Sequence, residues 1–290
     1  MASKHEFVRA GPLPGGVISG VGYRAVRPGQ EAARPLHRGL PSPYLTLIFS
    51  LDGPVISGLT PDQARGSDAI STDIVVGGLH HSPAYVVQPE FETGIQMAVH
   101  PLAARALLGV PAAELTGRFV TPGTDVLGRH AADLRSQLIE ATDWEARFAA
   151  LAGYLEKQLA THGDRPRPRP EVAEAWTWLA RHRGAGTLRG LAAHVALSER
   201  RLSTLFRAET GATPKQAARL MRFEHVKAGI VRATAAGDAP DLARTAAACG
   251  YYDHSHLVRD FHQYTGLSPS AWLAEECRNI QAGGHLNGGG

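Results

Sequence analysis

The chain has 290 residues, of which 43% are hydrophobic and 20% are charged, an ordinary composition for a soluble globular protein with room for two domains. No run approaches the ~18 apolar residues of a membrane span, and the N-terminal segment MASKHEFVRAGPLPGG lacks the apolar region of a signal peptide, so we expect a cytoplasmic protein without a membrane partner. Residues 1–163 carry 13 basic and 15 acidic side chains, whereas residues 164–290 carry 17 and 12, so contacts with phosphates are expected in the second part.

The first half of the chain reads as strands followed by helices. Segments of β-branched and aromatic residues between Gly, Pro and Ser turns predict strands at Gly16–Tyr23, Tyr44–Leu51, Asp73–Val76, Ala84–Val87 and Thr93–His100. We expect an α+β protein whose N-terminal domain is a mixed β-sheet, which could be barrel-like, with helices packed on it.

Helical periodicity begins after His100 and stops at Gly109. A turn is predicted at 125–127, followed by a helix over His130–Glu140. Asp143 then caps a longer helix with Phe148, Leu151, Leu155 and Leu159 on one stripe. That stripe could pack against its own sheet, which we favour, or against a second copy of the chain.

The segment HGDRPRPRP marks a boundary, because alternating Arg and Pro favour extended backbone. The predicted organisation is a sensor or dimerisation domain over residues 1–161, a linker over 162–170, an all-helical domain over 171–280 and a flexible tail over 281–290.

The helical half repeats one pattern after 55 residues. Leu202, Phe206, Thr210, Gly211 and Pro214 map onto Leu257, Phe261, Thr265, Gly266 and Pro269. Matched apolar, cap and breaker positions indicate one supersecondary unit used twice.

Each unit is predicted to contain two short helices joined by a turn. Ser198 and Asp253 are suitable N-caps for the second helix, and Gly211 and Gly266 are suitable left-handed stops. A short first helix precedes each cap, over Thr187–Val195 and Asp241–Ala248. This arrangement is typical of a helix-turn-helix.

The segments LSERRLSTLFRAETGATPKQ and ACGYYDHSHLVRDFHQYTGLSPSAW resemble the two helix-turn-helix units of AraC/XylS transcription regulators, and the resemblance covers about Glu171 to Glu276. Ala196 stands where the first turn more often has Gly, and Tyr251-Tyr252 replace the usual Phe-Ser pair. A weaker resemblance, of GIQMAVHPLAARALLGVPAAELTGRF to the N-terminal domain of one AraC-type subgroup, implies effector binding or dimerisation there.

The resemblance implies which side chains meet DNA. The implied base-contacting residues are Arg200, Ser203, Thr204, His254, Ser255 and Arg259. The implied phosphate-contacting or flanking residues are Ser198, Arg201, Arg207, Asp253 and His256. The alternative for each is an ordinary solvated helix face. A helix from Pro214 to about Arg232 would hold the two recognition helices in successive major-groove turns of promoter DNA.

Other candidate sites have simpler explanations. Histidines in the first half show no metal-ligand spacing, since adjacent His80 and His81 would point to opposite sides of a strand. Cys249 is expected to be a core thiol rather than a redox sensor, and Trp144 either packs or lines an effector pocket. We therefore predict no metal and no cofactor.

The rival class is a small-molecule-processing enzyme with an appended helical domain. No nucleophile elbow, phosphate loop, zinc-protease motif or useful carboxylate pair occurs in the sequence, and catalytic residues are not assigned. A non-enzymatic regulator is therefore favoured, with RNA polymerase, a small-molecule effector and a second copy of the chain as open partners.

Overall fold

The structure is a computed structural model that describes residues 4–27, 35–117 and 120–281. Its N-terminal half contains ten strands in two antiparallel sheets. The six-stranded sheet has the order β1-β2-β9-β4-β7-β10 and the four-stranded sheet the order β3-β8-β5-β6. The strands are β1 Lys4–Arg9, β2 Val17–Val26, β3 Leu36–Gly39, β4 Leu45–Ser50, β5 Val55–Gly58, β6 Ile70–Thr72, β7 Ile74–Gly77, β8 Ala84–Val87, β9 Phe91–Val99 and β10 Thr121–Pro122.

The N-terminal half also contains helices, the first of which contacts β5 and β8 of the smaller sheet. They are α1 Pro61–Arg65, α2 Ala104–Leu108, α3 Gly123–Leu127, α4 Arg129–Glu140 and α5 Trp144–His162, with 3-10 turns at Pro101–Ala103 and Ala112–Leu115. Helix α5 begins where Asp143 accepts a hydrogen bond from the Ala146 amide at 2.8 Å. Its residues Leu151 and Leu155 are buried among residues of the sheet, so the helix packs within its own chain.

The C-terminal half is all helical. It contains α6 Pro170–Arg181, α7 Leu188–His194, α8 Glu199–Thr210, α9 Pro214–Ala235, α10 Leu242–Ala248, α11 His254–Thr265 and α12 Pro269–Gln281. Of the tail expected over 281–290, Gln281 is the last residue of α12 and residues 282–290 lie outside the described residues. Residues 163–169, which include most of the expected Arg-Pro linker, separate α5 from α6.

The α+β class predicted from sequence is confirmed. All five predicted strands are present, Ala84–Val87 with the predicted ends and the other four with shifted ends. Every observed strand pairing is antiparallel rather than mixed. Within the described residues, neither sheet closes into a barrel. The turn predicted at 125–127 was wrong, because Gly123–Leu127 forms the short helix α3, which the left-handed Gly128 ends.

Two apolar cores divide the molecule unequally. The larger core joins sheet residues such as Leu47 and Met97 to Trp176, Phe206 and Met221 of the helical half. A second core contains α11 and α12, centred on Phe223, Phe261 and Trp272. The first helix pair therefore shares its interior with the N-terminal sheet, whereas the second pair has an interior of its own.

Candidate nucleic-acid interface

The two helix pairs begin and end in the way their sequences predicted. Ser198 Oγ accepts a hydrogen bond from the Arg201 amide at 3.2 Å, and Asp253 Oδ1 accepts one from the His256 amide at 2.7 Å. Gly211 and Gly266 end α8 and α11 with φ values of 78° and 73°. These side-chain caps satisfy amides that a helix N-terminus leaves without partners.

A threonine organises the turn after each recognition helix. The Thr210 hydroxyl lies 2.8 Å from the Phe206 carbonyl oxygen, to which it donates, and accepts from the Ala212 amide at 3.2 Å. Thr265 makes the matching contacts with the Phe261 carbonyl at 2.8 Å and the Leu267 amide at 3.0 Å. The repeat therefore extends to individual hydrogen bonds.

The turn between the two helices of the second pair is one residue longer than the corresponding turn of the first pair. The caps Thr187 and Asp241 of the first helices are 54 positions apart, whereas the caps of the recognition helices are 55 apart. The left-handed Ala196 (φ 55°) corresponds to Gly250 (φ 71°) at the smaller offset.

Tyr252 is the extra residue of the second turn. Its side chain is 94% exposed and stands directly before the N-cap of α11. A single offset of 55 for the whole repeat does not show that Tyr252 is an additional residue, and in the sequence it stands out only as part of the Tyr251-Tyr252 pair. The change of offset between the caps was the signal that could have revealed it.

The predicted base-contacting residues lie on the outer faces of α8 and α11. Their side chains are exposed except for that of Ser203, which is half-buried; the exposed residues are Arg200, Thr204, His254, Ser255 and Arg259. The Thr204 hydroxyl donates to the Arg200 carbonyl at 3.0 Å, which leaves its oxygen free to accept from a base edge. Direct contact with bases stays a prediction.

The predicted phosphate-contacting residues fall into two kinds. Arg201 and Arg207 are exposed guanidinium groups on the outer side of α8. Ser198 and Asp253 use a side-chain oxygen for the helix cap, and half-buried His256 packs edge-on to the Tyr251 ring at 5.1 Å. Their contacts with phosphate also stay predictions.

The inner face of each recognition helix carries a buried acid that sequence analysis did not single out. Glu209 accepts from Arg105 Nε at 2.8 Å, which ties α8 to the N-terminal domain. Asp260 accepts from Arg219 Nη2 at 2.7 Å, which ties α11 to the connecting helix α9. An acidic residue at a position of the apolar stripe, three after Phe206 or Leu257, was the available signal.

The second helix pair also contacts the N-terminal half directly. Arg38 of β3 pairs with Glu275 of α12, and the side chain of Gln263 donates to the His81 carbonyl at 3.5 Å. Leu40 packs against the second core. Each helix-turn-helix therefore has its own polar attachment to the sheet domain.

The histidines and aromatic residues flagged in the sequence have structural roles. Burial lowers the pKa of His80 to about 4, and its Nδ1 lies 2.7 Å from the Ser82 carbonyl, to which the neutral ring donates. Trp144 stacks on Phe148 with ring centroids 6.1 Å apart and lies over Gly22 of β2. Cys249 is buried, as expected for a core thiol. No group of three or more His, Cys, Asp or Glu side chains that could hold a metal occurs among residues 4–27, 35–117 and 120–281.

Comparison with protein families gives one match, to a helix-turn-helix domain over residues 191–275. This range includes most of α7, all of α8 to α11 and the first half of α12. These residues form an AraC-type helix-turn-helix domain. Domains of this kind bind DNA in transcription regulators. The match covers less than a third of the 290 residues and does not include the sheet domain.

Comparisons over the whole chain are weaker. No curated protein matches the sequence. Among solved structures, ToxT from Vibrio cholerae is 10% identical with a TM-score of 0.47, and 94% of this chain covers 98% of that one. A structure of ToxT bound to an unsaturated fatty acid is 8% identical with a TM-score of 0.46, and 93% of this chain covers 94% of that one. Similarity at this level does not by itself indicate a shared ligand or mechanism.

One further finding concerns membranes. None of the helices in the described part of the chain is long and apolar enough to cross a bilayer.

Proposed function

We propose that this chain binds promoter DNA through α8 and α11 together, and that it acts as a transcription regulator and not as an enzyme. The observation that supports the proposal most is the two-sidedness of both helices. Arg200 and Arg259 are exposed on the outer faces, whereas Glu209 and Asp260 fix the inner faces to the rest of the molecule.

The connecting helix has a suitable length for binding in successive grooves. Helix α9 contains 22 residues, which at ~1.5 Å per residue span about 33 Å. One turn of B-DNA repeats the major groove after ~34 Å. A capping box, in which the Thr213 amide donates to Gln216 Oε1 at 2.9 Å, fixes the start of this helix.

Arginine and histidine side chains would supply most of the recognition. Arg200 and Arg259 can each donate two hydrogen bonds to a guanine, a contact worth ~1–3 kcal/mol of discrimination against another base. His254, at the first position of α11, can donate or accept. Arg201 and Arg207 would add affinity that does not depend on sequence and that weakens as the salt concentration rises.

The N-terminal domain is the proposed regulator of this arrangement. It holds the first unit through Arg105–Glu209 and the second through Arg38–Glu275. A small-molecule effector, or a second copy of the chain, would change DNA affinity only by favouring one arrangement of these attachments over another. Contact with RNA polymerase would follow from the position of the bound protein on the promoter.

Fluorescence anisotropy with duplexes selected from the genome tests the proposal. The wild-type chain should prefer its selected sequence over random DNA of equal length. Arg259→Gln should reduce that preference about 5- to 150-fold, which corresponds to ~1–3 kcal/mol, and should leave affinity for random DNA nearly unchanged. Arg129→Gln, at an exposed position of α4, is the matched control and should change neither quantity.

Equal losses on selected and random DNA would remove the base-reading role of Arg259. If selection from the genome yields no sequence that the chain prefers over random DNA, the proposed function is refuted.

A further inference from the structure

The two recognition helices are seated differently on the N-terminal half of the chain. A Cβ atom added at Gly211, which ends α8, would overlap the side chain of Thr116. A Cβ atom added at Gly266, which ends α11, would lie 3.6 Å from the Tyr85 hydroxyl oxygen, an ordinary contact distance. Helix α8 is therefore packed more closely against the N-terminal half than α11 is.

The first helix pair is attached through a buried surface. Trp176 and Phe206 belong to the apolar core shared with the sheet, and their rings stack with centroids 5.7 Å apart. Both carboxylate oxygens of Glu209 accept from Arg105 Nε, at 2.8 and 3.1 Å, and the Glu209 side chain is 10% exposed. Separating these groups would expose apolar surface and leave a buried carboxylate without its partner, so this attachment is costly to open.

The second helix pair is attached through polar contacts at the edge of the smaller sheet. Arg38 of the edge strand β3 pairs with Glu275 of α12, whose side chain is 49% exposed. On the same strand, His37 Nδ1 lies 3.7 Å from Glu276 Oε1. Neighbouring side chains of a strand point to opposite faces, yet both of these reach α12. The helix therefore lies along the edge of β3.

Apolar contacts add little to the second attachment. Of the aliphatic side chains in the described part of the N-terminal half, Leu40 alone packs against the second core. The Gln263 amide reaches the His81 carbonyl oxygen at 3.5 Å, which is long for a hydrogen bond. Exposed ion pairs contribute little to stability and are screened by salt. This polar surface therefore separates at a lower cost than the buried surface of the first pair.

Helix α9 is the other support of the second pair. Its residues Ala217 and Met221 belong to the core shared with the sheet, whereas Val226 and Ile230 belong to the second core. The second pair is therefore carried at the far end of a helix whose beginning is held elsewhere. A long helix can bend, so a contact away from its axis is needed to fix the orientation of what it carries.

We propose that the edge of the smaller sheet is a releasable brace for the second helix pair, formed by Arg38 and Tyr85 against Glu275 and Gly266. Arg38 and Tyr85 are directly opposite in the pairing of β3 with β8, so a shift of the smaller sheet moves both contacts together. With the brace closed, α8 and α11 keep one relative orientation. With the brace open, the second pair turns on α9 while the first pair stays seated.

The brace names the regulated step of the proposed function, on which this inference rests. The closed form is the one that binds DNA, because recognition helices fixed in advance need not be ordered on the duplex. A signal received by the N-terminal half would change DNA affinity by shifting the balance between closed and open forms.

Hydrogen exchange of the DNA-free full chain, measured on peptides that cover β3, tests the brace itself. Because α12 lies along the edge of β3, opening should speed the exchange of this strand. Arg38→Glu and Glu275→Arg should each speed it about fivefold, which corresponds to the loss of ~1 kcal/mol, and salt should do the same to the wild type. The double variant restores an ion pair of reversed polarity and should return exchange to the wild-type rate.

The change in Glu275→Arg lies on α12, so faster exchange in β3 reports the loss of a contact between the two halves and not a local defect of the strand. Arg129→Glu, at an exposed position of α4, makes the same change of charge as Arg38→Glu and should leave exchange unchanged.

DNA binding tests the regulatory role. Arg38→Glu should lower affinity for the selected duplex about fivefold, as the closed population falls, and Arg129→Glu should not. One or two base pairs inserted between the segments read by α8 and α11 should weaken the wild type more steeply than Arg38→Glu, because the open form adapts to other spacings.

The outcomes separate the brace from the proposed function. Unchanged exchange in both single variants, or fast exchange that the double variant retains, would overturn the brace. Faster exchange in Arg38→Glu with higher or unchanged affinity for the selected duplex would overturn its role in DNA binding. If no sequence is selected, the proposed function fails, and the exchange rates alone decide whether the brace exists.

Discussion

Neighbouring residues of α11 should separate folding from recognition. Arg259 is exposed, whereas the side chain of Asp260 is only 4% exposed and contacts Arg219 of α9. We expect Asp260→Asn to destabilise the second helix pair, and we expect Arg259→Gln to leave stability unchanged while altering sequence preference.

The magnitude for Asp260→Asn follows from the geometry of its ion pair. Arg219 Nη2 lies 2.7 Å from Asp260 Oδ1, and Arg219 Nε lies 3.5 Å from Oδ2. Breaking a fully buried pair costs ~3–5 kcal/mol. The Arg219 side chain is 27% exposed and also donates to Gln263 Oε1 at 2.7 Å, so it keeps part of its solvation and one partner. Asparagine can still accept one neutral hydrogen bond, and we therefore expect a loss of about 2 kcal/mol.

Thermal unfolding followed by circular dichroism measures this loss. At ~2–4 °C per kcal/mol, a destabilisation of about 2 kcal/mol lowers Tm by about 4–8 °C. DNA anisotropy well below Tm should show that Asp260→Asn retains the wild-type order of preferred sequences. An unchanged Tm in Asp260→Asn would refute the structural role of the pair, and an equal fall of Tm in Arg259→Gln would refute the outward position of Arg259.

Three further predictions concern single residues. Ala196→Gly should raise the free energy of unfolding by about 0.5–1 kcal/mol in urea titration. Gly removes the strain of Ala in the left-handed conformation, and this gain exceeds the loss caused by the greater freedom of Gly in the unfolded chain. A decrease would contradict the left-handed assignment. Tyr252→Ala should lower affinity for the selected duplex about 3- to 10-fold without a change in Tm, because the exposed phenol stands just before the first turn of α11, which we propose to enter the major groove. Tyr252→Phe tests how much of that loss belongs to the hydroxyl. His80→Gln should make stability less dependent on pH between about 4 and 6.5, because the histidine pKa is near 6.5 in the unfolded chain and about 4 in the folded one, so protonation in that range favours unfolding. The lost proton accounts for at most ~1.4 kcal/mol per pH unit of the slope of unfolding free energy against pH. A slope that does not change in the variant would refute the burial of the neutral ring.

Local signals predicted the helical half well. Ser198, Asp253 and Thr213 cap helices as their side-chain chemistry requires, and the glycines at 211 and 266 end them. Each of these features depends on a few consecutive residues, so the sequence alone contains the information. The outward faces of α8 and α11 followed in the same way from the apolar stripe on the opposite side.

The strands that sequence analysis missed lack such local signals. Strands β3, β5 and β6 are only three or four residues long, and β1 is an edge strand without a fully buried residue. Short strands with partly exposed side chains do not show the alternation that identifies a strand in sequence. Their pairing depends on partners far along the chain, as with β3 and β8.

Long-range contacts were equally invisible. Arg105 and Glu209 are 104 positions apart, and Arg38 and Glu275 are 237 apart. Nothing near either member of these pairs indicates its partner.

Because one apolar core is shared between the two halves and the other lies mostly in the C-terminal half, the two helix pairs should behave differently in a truncated chain. A fragment beginning at the Arg-Pro segment would keep α11 and α12 with their own interior, but it would expose the ring of Trp176, which meets His100 edge-on at 5.4 Å in the intact chain. Such a fragment should aggregate or unfold at its first helix pair while its second pair stays folded. The sheet domain is therefore a folding scaffold for the first helix-turn-helix unit and only a neighbour for the second.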